Sequence, residues 1–78
     1  MRRYYFHLYN NETVIDREGT ELPNQAVALQ KAASDARTMA AESVKEGRLV
    51  LHHRIEVVDD QGEKIGTVQF GNVVEIQE

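Results

Sequence analysis

The residues with the clearest potential for chemistry lie in the first quarter of the chain. His7 stands in an aromatic segment, and three carboxylates flank Gly19 a few residues later: Asp16, Glu18 and Glu21. A carboxylate beside an imidazole could perform acid–base catalysis. No nucleophile is paired with a base, however, and Asp near Gly is typical of turns, where its side chain accepts backbone hydrogen bonds. The sequence therefore predicts no catalytic residue.

A second candidate is the His52-His53 pair. Adjacent residues of a strand point to opposite faces, so the pair would not chelate one ion there, whereas in a loop it could. The chain has no Cys, which excludes a disulfide framework and a thiolate metal site. We expect no metal and no cofactor. An enzyme or metal-binding protein that uses His7, Asp16 and Glu18, or the histidine pair, is an alternative.

The size and charge of the chain limit the classes of function. With 78 residues, we expect one domain over residues 1–78. The formal net charge of −4 makes binding by neutralisation of nucleic-acid phosphates unfavourable. No apolar run approaches the roughly 20 residues of a membrane span, and the short run after Arg2-Arg3 ends at Asn10, too early for a signal peptide. We expect a cytoplasmic protein with no membrane association.

An aromatic strand begins the chain and is followed by a turn. Tyr4 to Tyr9 is prone to form a strand, Asn10-Asn11 suits a tight turn, and Thr13 to Ile15 would return as a second strand. A two-residue loop would place Leu8 opposite Thr13, His7 opposite Val14 and Tyr5 opposite Asp16. His7, Val14, Tyr5 and Asp16 would then share one face of a sheet.

One long helix is predicted from Gln25 to Glu46, where Ala is abundant and Gly and Pro are absent. Asn24 is a suitable N-cap, and Gly47 is suited to end the helix. The predicted apolar stripe, in which most side chains are small, comprises Leu29, Ala33, Ala36, Ala40 and Val44, flanked by Ala32 and Met39.

The last third of the chain predicts a second hairpin. Arg54 to Val58 and Lys64 to Phe70 read as strands, separated by a turn that ends at Gly62. A bulge at Gly66 would let alternate apolar residues reach the core, namely Ile65, Val68 and Phe70. Gly71-Asn72 resembles a tight turn, so that Val73 to Ile76 could form a short fifth strand. Residues 70–78 could instead be a tail that pairs with a neighbouring chain.

These elements predict an α+β fold of order β-β-α-β-β, a two-layer sandwich with one helix on an antiparallel or mixed sheet. The face of the sheet away from the helix, which we call the open face, needs an explanation. The predicted pairing gives it an apolar and aromatic surface with one carboxylate: Tyr5, His7, Tyr9, Val14 and Asp16. Such a surface is typical of a contact site. A homodimer is the leading expectation, another protein partner is the second, and a monomer with exposed Tyr hydroxyls is the third.

The aromatic strand also permits a nucleic-acid-binding alternative. Rings on a sheet can stack on unpaired bases, and four arginines could add positive charge nearby: Arg2, Arg3, Arg48 and Arg54. The signature of RNA-recognition domains is absent, and the chain is acidic overall. We therefore favour a non-enzymatic protein-interaction or regulatory module.

Three segments follow one another in a characteristic order. The first is the strand Tyr4-Tyr5-Phe6-His7-Leu8, the second is the segment from Asp16 to Leu22 with its D-x-E-G-x-E-L pattern, and the third is the Ala-rich helix. This order resembles a family of small bacterial proteins classed as a domain of unknown function. The resemblance covers Arg3 to Phe70 and leaves Gly71 to Glu78 outside. It implies a free-standing domain and assigns no activity, cofactor or site residue.

Overall fold

The computed structural model describes residues 1–75. Its elements, in chain order, are strands β1 (Arg2–Tyr9), β2 (Thr13–Val14) and β3 (Thr20–Leu22), helix α1 (Gln25–Lys45), strands β4 (Arg54–Val58) and β5 (Lys64–Gln69), and a short 3-10 helix (Phe70–Asn72). All strand pairs are antiparallel, with β4 between β1 and β5, and with β2 and β3 both on the other edge of β1. The fold is α+β, as predicted. Within residues 1–75, no helix has the length and apolarity needed to cross a membrane.

The core lies between α1 and one face of the sheet. Four alanines spaced four residues apart on α1 are buried: Ala28, Ala32, Ala36 and Ala40. Because these side chains are small, the helix can lie close to the large buried residues of the sheet, which are Tyr4, Ile55 and Val57. The predicted stripe is correct at Ala36 and Ala40, which are buried, and at Leu29, which packs against the core, but it is wrong at Val44. Ala32, predicted beside the stripe, belongs to the buried row, whereas Ala33 is only half-buried. Val44 is 57% exposed and lines an open cavity of about 350 Å³ with Leu49 and Val74.

Local hydrogen bonds and backbone angles explain where α1 begins and ends. The Asn24 side chain accepts a hydrogen bond from the Val27 N–H (2.9 Å), which satisfies a free donor of the first turn. Gly47 follows the helix with φ +96°, a conformation that favours glycine. Both predicted caps are confirmed, and the helix ends at Lys45, one residue before the predicted end.

The bulge predicted in the last strand is confirmed. Val57 pairs with Gly66 while Val58 pairs with Lys64, so Ile65 is the extra residue of β5. Gly66 faces the helix so closely that a Cβ atom there would lie 2.6 Å from Leu29 Cδ2. As expected, the apolar side chains on either side of Gly66 pack on the core, and Phe70 is buried.

The predicted register of the first hairpin is wrong by one residue. Tyr9 pairs with Thr13 and Leu8 pairs with Val14, so the loop has three residues rather than two. The cause is Asn10, whose side chain accepts a hydrogen bond from the Glu12 N–H (2.9 Å) and closes a wider turn. Because a shift of one residue exchanges the faces of a strand, Val14 shares the face of Leu8 rather than the open face.

Two further segments differ from the prediction: the one directly before the helix and the one after β5. Thr20–Leu22, expected to lie outside any strand, pairs with Arg2–Tyr4 as β3. Val73 to Glu75 forms no strand, because Gly71 lies in the 3-10 helix and its N–H donates to the Leu51 carbonyl (3.0 Å). Val73 and Val74 pack on the core instead. Ile76, the last residue of that predicted strand, lies outside the described residues.

Candidate functional site

The open face is built on the alternation of β1. Tyr4, Phe6 and Leu8 point to the helix side, so the intervening residues point away from it. Each has a partner on β4, and β5 extends this face with the polar residues Lys64, Thr67 and Gln69. The six residues of β1 and β4 form three pairs at the centre of the open face: Tyr5 opposite Val58, His7 opposite Glu56 and Tyr9 opposite Arg54. All six side chains are partly exposed. The structure therefore brings together the three predicted aromatic residues and Val58.

An ion pair occupies one end of the open face. Arg54 Nε lies 2.9 Å from Glu56 Oε2, and the Arg54 guanidinium lies 4.5 Å from the centre of the Tyr9 ring. The Glu56 side chain is only 18% exposed. The Arg54 guanidinium therefore contacts both the Glu56 carboxylate and the Tyr9 ring. The positive charge of Arg54 and the negative charge of Glu56 offset each other in this part of the surface.

The loop between β2 and β3 is held against β1 by Asp16. The Asp16 Oδ1 accepts hydrogen bonds from the N–H groups of Glu18 (3.1 Å) and Gly19 (3.0 Å), while Oδ2 accepts one from Phe6 N–H (3.1 Å). The Asp16 N–H in turn donates to Nδ1 of His7 (3.1 Å). Asp16 thus neighbours His7 through a loop and not through the predicted strand pairing with Tyr5.

These hydrogen bonds set the charge state of Asp16. Partial burial of the carboxyl acts to raise its pKa, but the backbone N–H donors from Gly19, Phe6 and Glu18 act against it, and His7 adds a smaller effect in the same direction. The net result is that the pKa of Asp16 lies below its ordinary value of 3.8. The carboxylate is consequently charged at neutral pH and occupied by backbone donors.

The other two residues of the predicted acidic cluster, Glu18 and Glu21, are both bonded to Arg3, Glu18 through its backbone carbonyl and Glu21 through its carboxylate. Arg3 Nη1 donates to the Glu18 carbonyl (2.7 Å), and Arg3 Nη2 lies 3.2 Å from Glu21 Oε1. Gly19 adopts φ +72°, a conformation that favours glycine. A Cβ atom at this position would lie 2.7 Å from Arg3 Cγ and 3.0 Å from Tyr5 Cε1. The geometry supports the expected turn chemistry of this segment.

The two adjacent histidines lie before β4 and have different surroundings. The His52 and His53 rings meet edge to face at 5.5 Å, and His53 also meets the Phe70 ring at 5.8 Å. Burial, and to a smaller degree His52, lowers the pKa of His53. In the part of the chain that the structure describes, no three His, Asp or Glu side chains converge as a metal site would require.

The structure also contains a groove that the sequence analysis missed. It has a volume of about 430 Å³ and lies between the second half of α1, the end of β1 and the segment before β4. Its helical wall is formed by residues at spacings of three and four: Met39, Glu42, Ser43 and Glu46. That spacing was visible in the sequence, but the opposite wall comes from distant segments.

The comparisons with known proteins give a family but no function. A family model described as a domain of unknown function, DUF6894, matches residues 3–71. No curated protein and no solved structure matches the chain. Because the match spans most of the chain, the chain belongs to the DUF6894 family, a domain of unknown function.

Proposed function

We propose that this chain is a non-enzymatic protein-interaction module that forms a homodimer by packing the open faces of two copies against each other. The observation that carries this proposal is the row of three aromatic side chains on a face that the helix does not cover. The removal of aromatic rings from water by a partner is favourable, and Tyr also retains a hydroxyl that can form hydrogen bonds. A second copy is the simplest partner, because a twofold interface uses one surface twice.

The ion pairs of the arginines favour a protein partner over nucleic acid. Arg2 lies 3.0 Å from Asp60, Arg3 lies 3.2 Å from Glu21, and Arg54 lies 2.9 Å from Glu56. The neighbouring carboxylate offsets part of the positive charge of each guanidinium, so these arginines attract a phosphate less strongly than unpaired ones would. The Arg54–Glu56 pair also leaves the aromatic end of the open face without net charge, which permits two copies to approach.

The size of the open face sets the expected strength of the dimer. Strands β1, β4 and β5 are five to eight residues long, and at a spacing of about 4.8 Å they cover roughly 300 Å² on each partner. Stable complexes bury about 800 Å² on each partner. We therefore expect a reversible dimer with a dissociation constant in the micromolar range, and not an obligate one.

Sedimentation equilibrium of the full chain tests this proposal. Between about 5 μM and about 500 μM, concentrations that bracket a micromolar dissociation constant, the average mass should rise from 8.9 kDa towards twice that value. A mass of 8.9 kDa at every concentration would contradict the homodimer. A dimer that forms only when an oligonucleotide is added, and whose affinity falls steeply as the salt concentration rises, would support the nucleic-acid alternative.

A further inference from the structure

The groove beside the second half of α1 has a clear apolar floor. Four apolar side chains from four different segments of the chain contribute to it: Leu8, Met39, Val50 and Phe70. Phe70 is 2% exposed, and Leu8 and Met39 pack against the core, so the floor is held by the folded structure. The volume of about 430 Å³ lies within the range of small-molecule sites.

The helical wall of the groove is polar, in contrast to its apolar floor. The Ala row of α1 covers the sheet as far as Ala40, and the neighbouring helix face then turns Glu42, Ser43 and Glu46 towards the groove. Carboxylates above an apolar floor can bind a ligand that has an apolar body and a polar group. This combination is the usual composition of a small-molecule site.

The charges around the groove favour a cation. Glu42 and Glu46 lie in the last turns of α1, where the helix dipole adds partial negative charge. Arg48 is the one Lys or Arg side chain among the lining residues within residues 1–75, and Lys45 approaches Glu42 from outside the groove at 3.6 Å. The lowered pKa of His53 keeps its ring neutral at pH 7, so it adds no opposing charge.

We propose that this groove is a binding site for a small organic cation: an amine that carries an aromatic or branched aliphatic group. The apolar group would rest on Met39 and Phe70, and the ammonium would face Glu42 and Glu46. This site is separate from the open face, because its lining shares no residue with that surface.

Three probes of similar shape and different charge test the proposal on the full chain: 2-phenylethylamine, 2-phenylethanol and 3-phenylpropionate. In an NMR titration to about 10 mM, which reaches weak millimolar binding, the amine should give saturable shifts of the Met39, Ser43 and His53 amides. We expect the amine to bind about fivefold more tightly than the alcohol, as an exposed charge pair would provide, and the carboxylate more weakly than both.

Variants of the groove separate specific binding from general attraction to an acidic protein. Replacing both carboxylates (Glu42→Gln with Glu46→Gln) should remove the preference for the amine over the alcohol. The matched control, Glu12→Gln with Glu63→Gln, lies outside the groove and should leave that preference unchanged. Ser43→Leu should weaken all three probes by filling the groove. Any one of three results would overturn the proposal. These are the absence of saturable shifts, equal affinity for the three probes, and an unchanged preference for the amine in the Glu42→Gln, Glu46→Gln variant.

Discussion

Replacing Asp16 with alanine is expected to lower the free energy of unfolding by about 2–3 kcal/mol. The change removes the acceptor of three backbone N–H groups, one on Phe6 of β1 and two in the loop at Glu18 and Gly19. Hydrogen bonds to a charged group contribute about 1.5–3 kcal/mol each, and partial access of water reduces the sum. A domain of this size has a total stability of about 4–12 kcal/mol, so urea unfolding should resolve the loss easily.

The same variant should change how stability depends on pH. Because the pKa of Asp16 is lower in the folded chain than its ordinary 3.8, the unfolded state binds the proton more readily. The contribution of Asp16 is therefore fully present above pH 3.8 and is lost as pH falls through the lowered folded value. Asp16→Ala should lack this part of the acid dependence.

The matched control for Asp16 is Asp60→Ala. Asp60 is exposed and forms one ion pair, with Arg2. Its loss should cost less than about 1 kcal/mol, as for other exposed pairs. Equal effects of the two substitutions at pH 7 would contradict the account of the loop.

Introducing two carboxylates on the open face should abolish the dimer. In the double variant Tyr5→Glu with Tyr9→Glu, each copy would bring two negative charges to the interface and lose two aromatic rings. Like charges brought together across an interface cost several kcal/mol, so the dissociation constant should rise by about 100-fold or more. Sedimentation equilibrium should then give a mass close to 8.9 kDa at concentrations where we expect the natural chain to dimerise.

Two further variants make the double substitution interpretable. Val14→Glu adds the same charge to an exposed residue of β2, on the face of Leu8, and should leave the dimer intact. Since Tyr5 contacts the loop at Gly19, Tyr9→Glu alone gives a second test if the double variant fails to fold. A folded variant of either kind with an unchanged dimer, or a dimer lost through Val14→Glu, would contradict the proposed interface.

The local parts of the fold could be read from the sequence because their causes are local. The N-cap at Asn24, the end of α1 at Gly47 and the bulge beside Gly66 each depend on a few neighbouring residues. The alternation of β1 likewise placed Tyr5, His7 and Tyr9 on one face, because strand geometry has a period of two.

Features set by side-chain hydrogen bonds were harder to predict. A single hydrogen bond, donated by the Glu12 N–H to the Asn10 side chain, accompanies a longer first turn that places Val14 on the other face. Asp16 was placed opposite Tyr5, whereas it folds over β1 and bonds to Phe6 and His7. The pairing of β3 also depends on that loop, which brings Thr20–Leu22 back to β1.

Features set by distant segments gave no signal in any one stretch of sequence. The chain turns after β5 because the Phe70 and Gly71 N–H groups donate to His53 and Leu51, about twenty residues earlier. The groove depends on the same contact between the residues before β4 and the residues after β5, because His53 and Phe70 both line it.

Whether two copies meet through the open face can be measured by NMR on a mixture of isotope-labelled and unlabelled chains. A filtered experiment detects only contacts between the two kinds of chain. If the open faces form the interface, we expect intermolecular contacts from the ring protons of Tyr5 and Tyr9 to the partner's β1 and β4 side chains. A dimer whose intermolecular contacts arise from α1 or the edge of β5, with none from these rings, would contradict it.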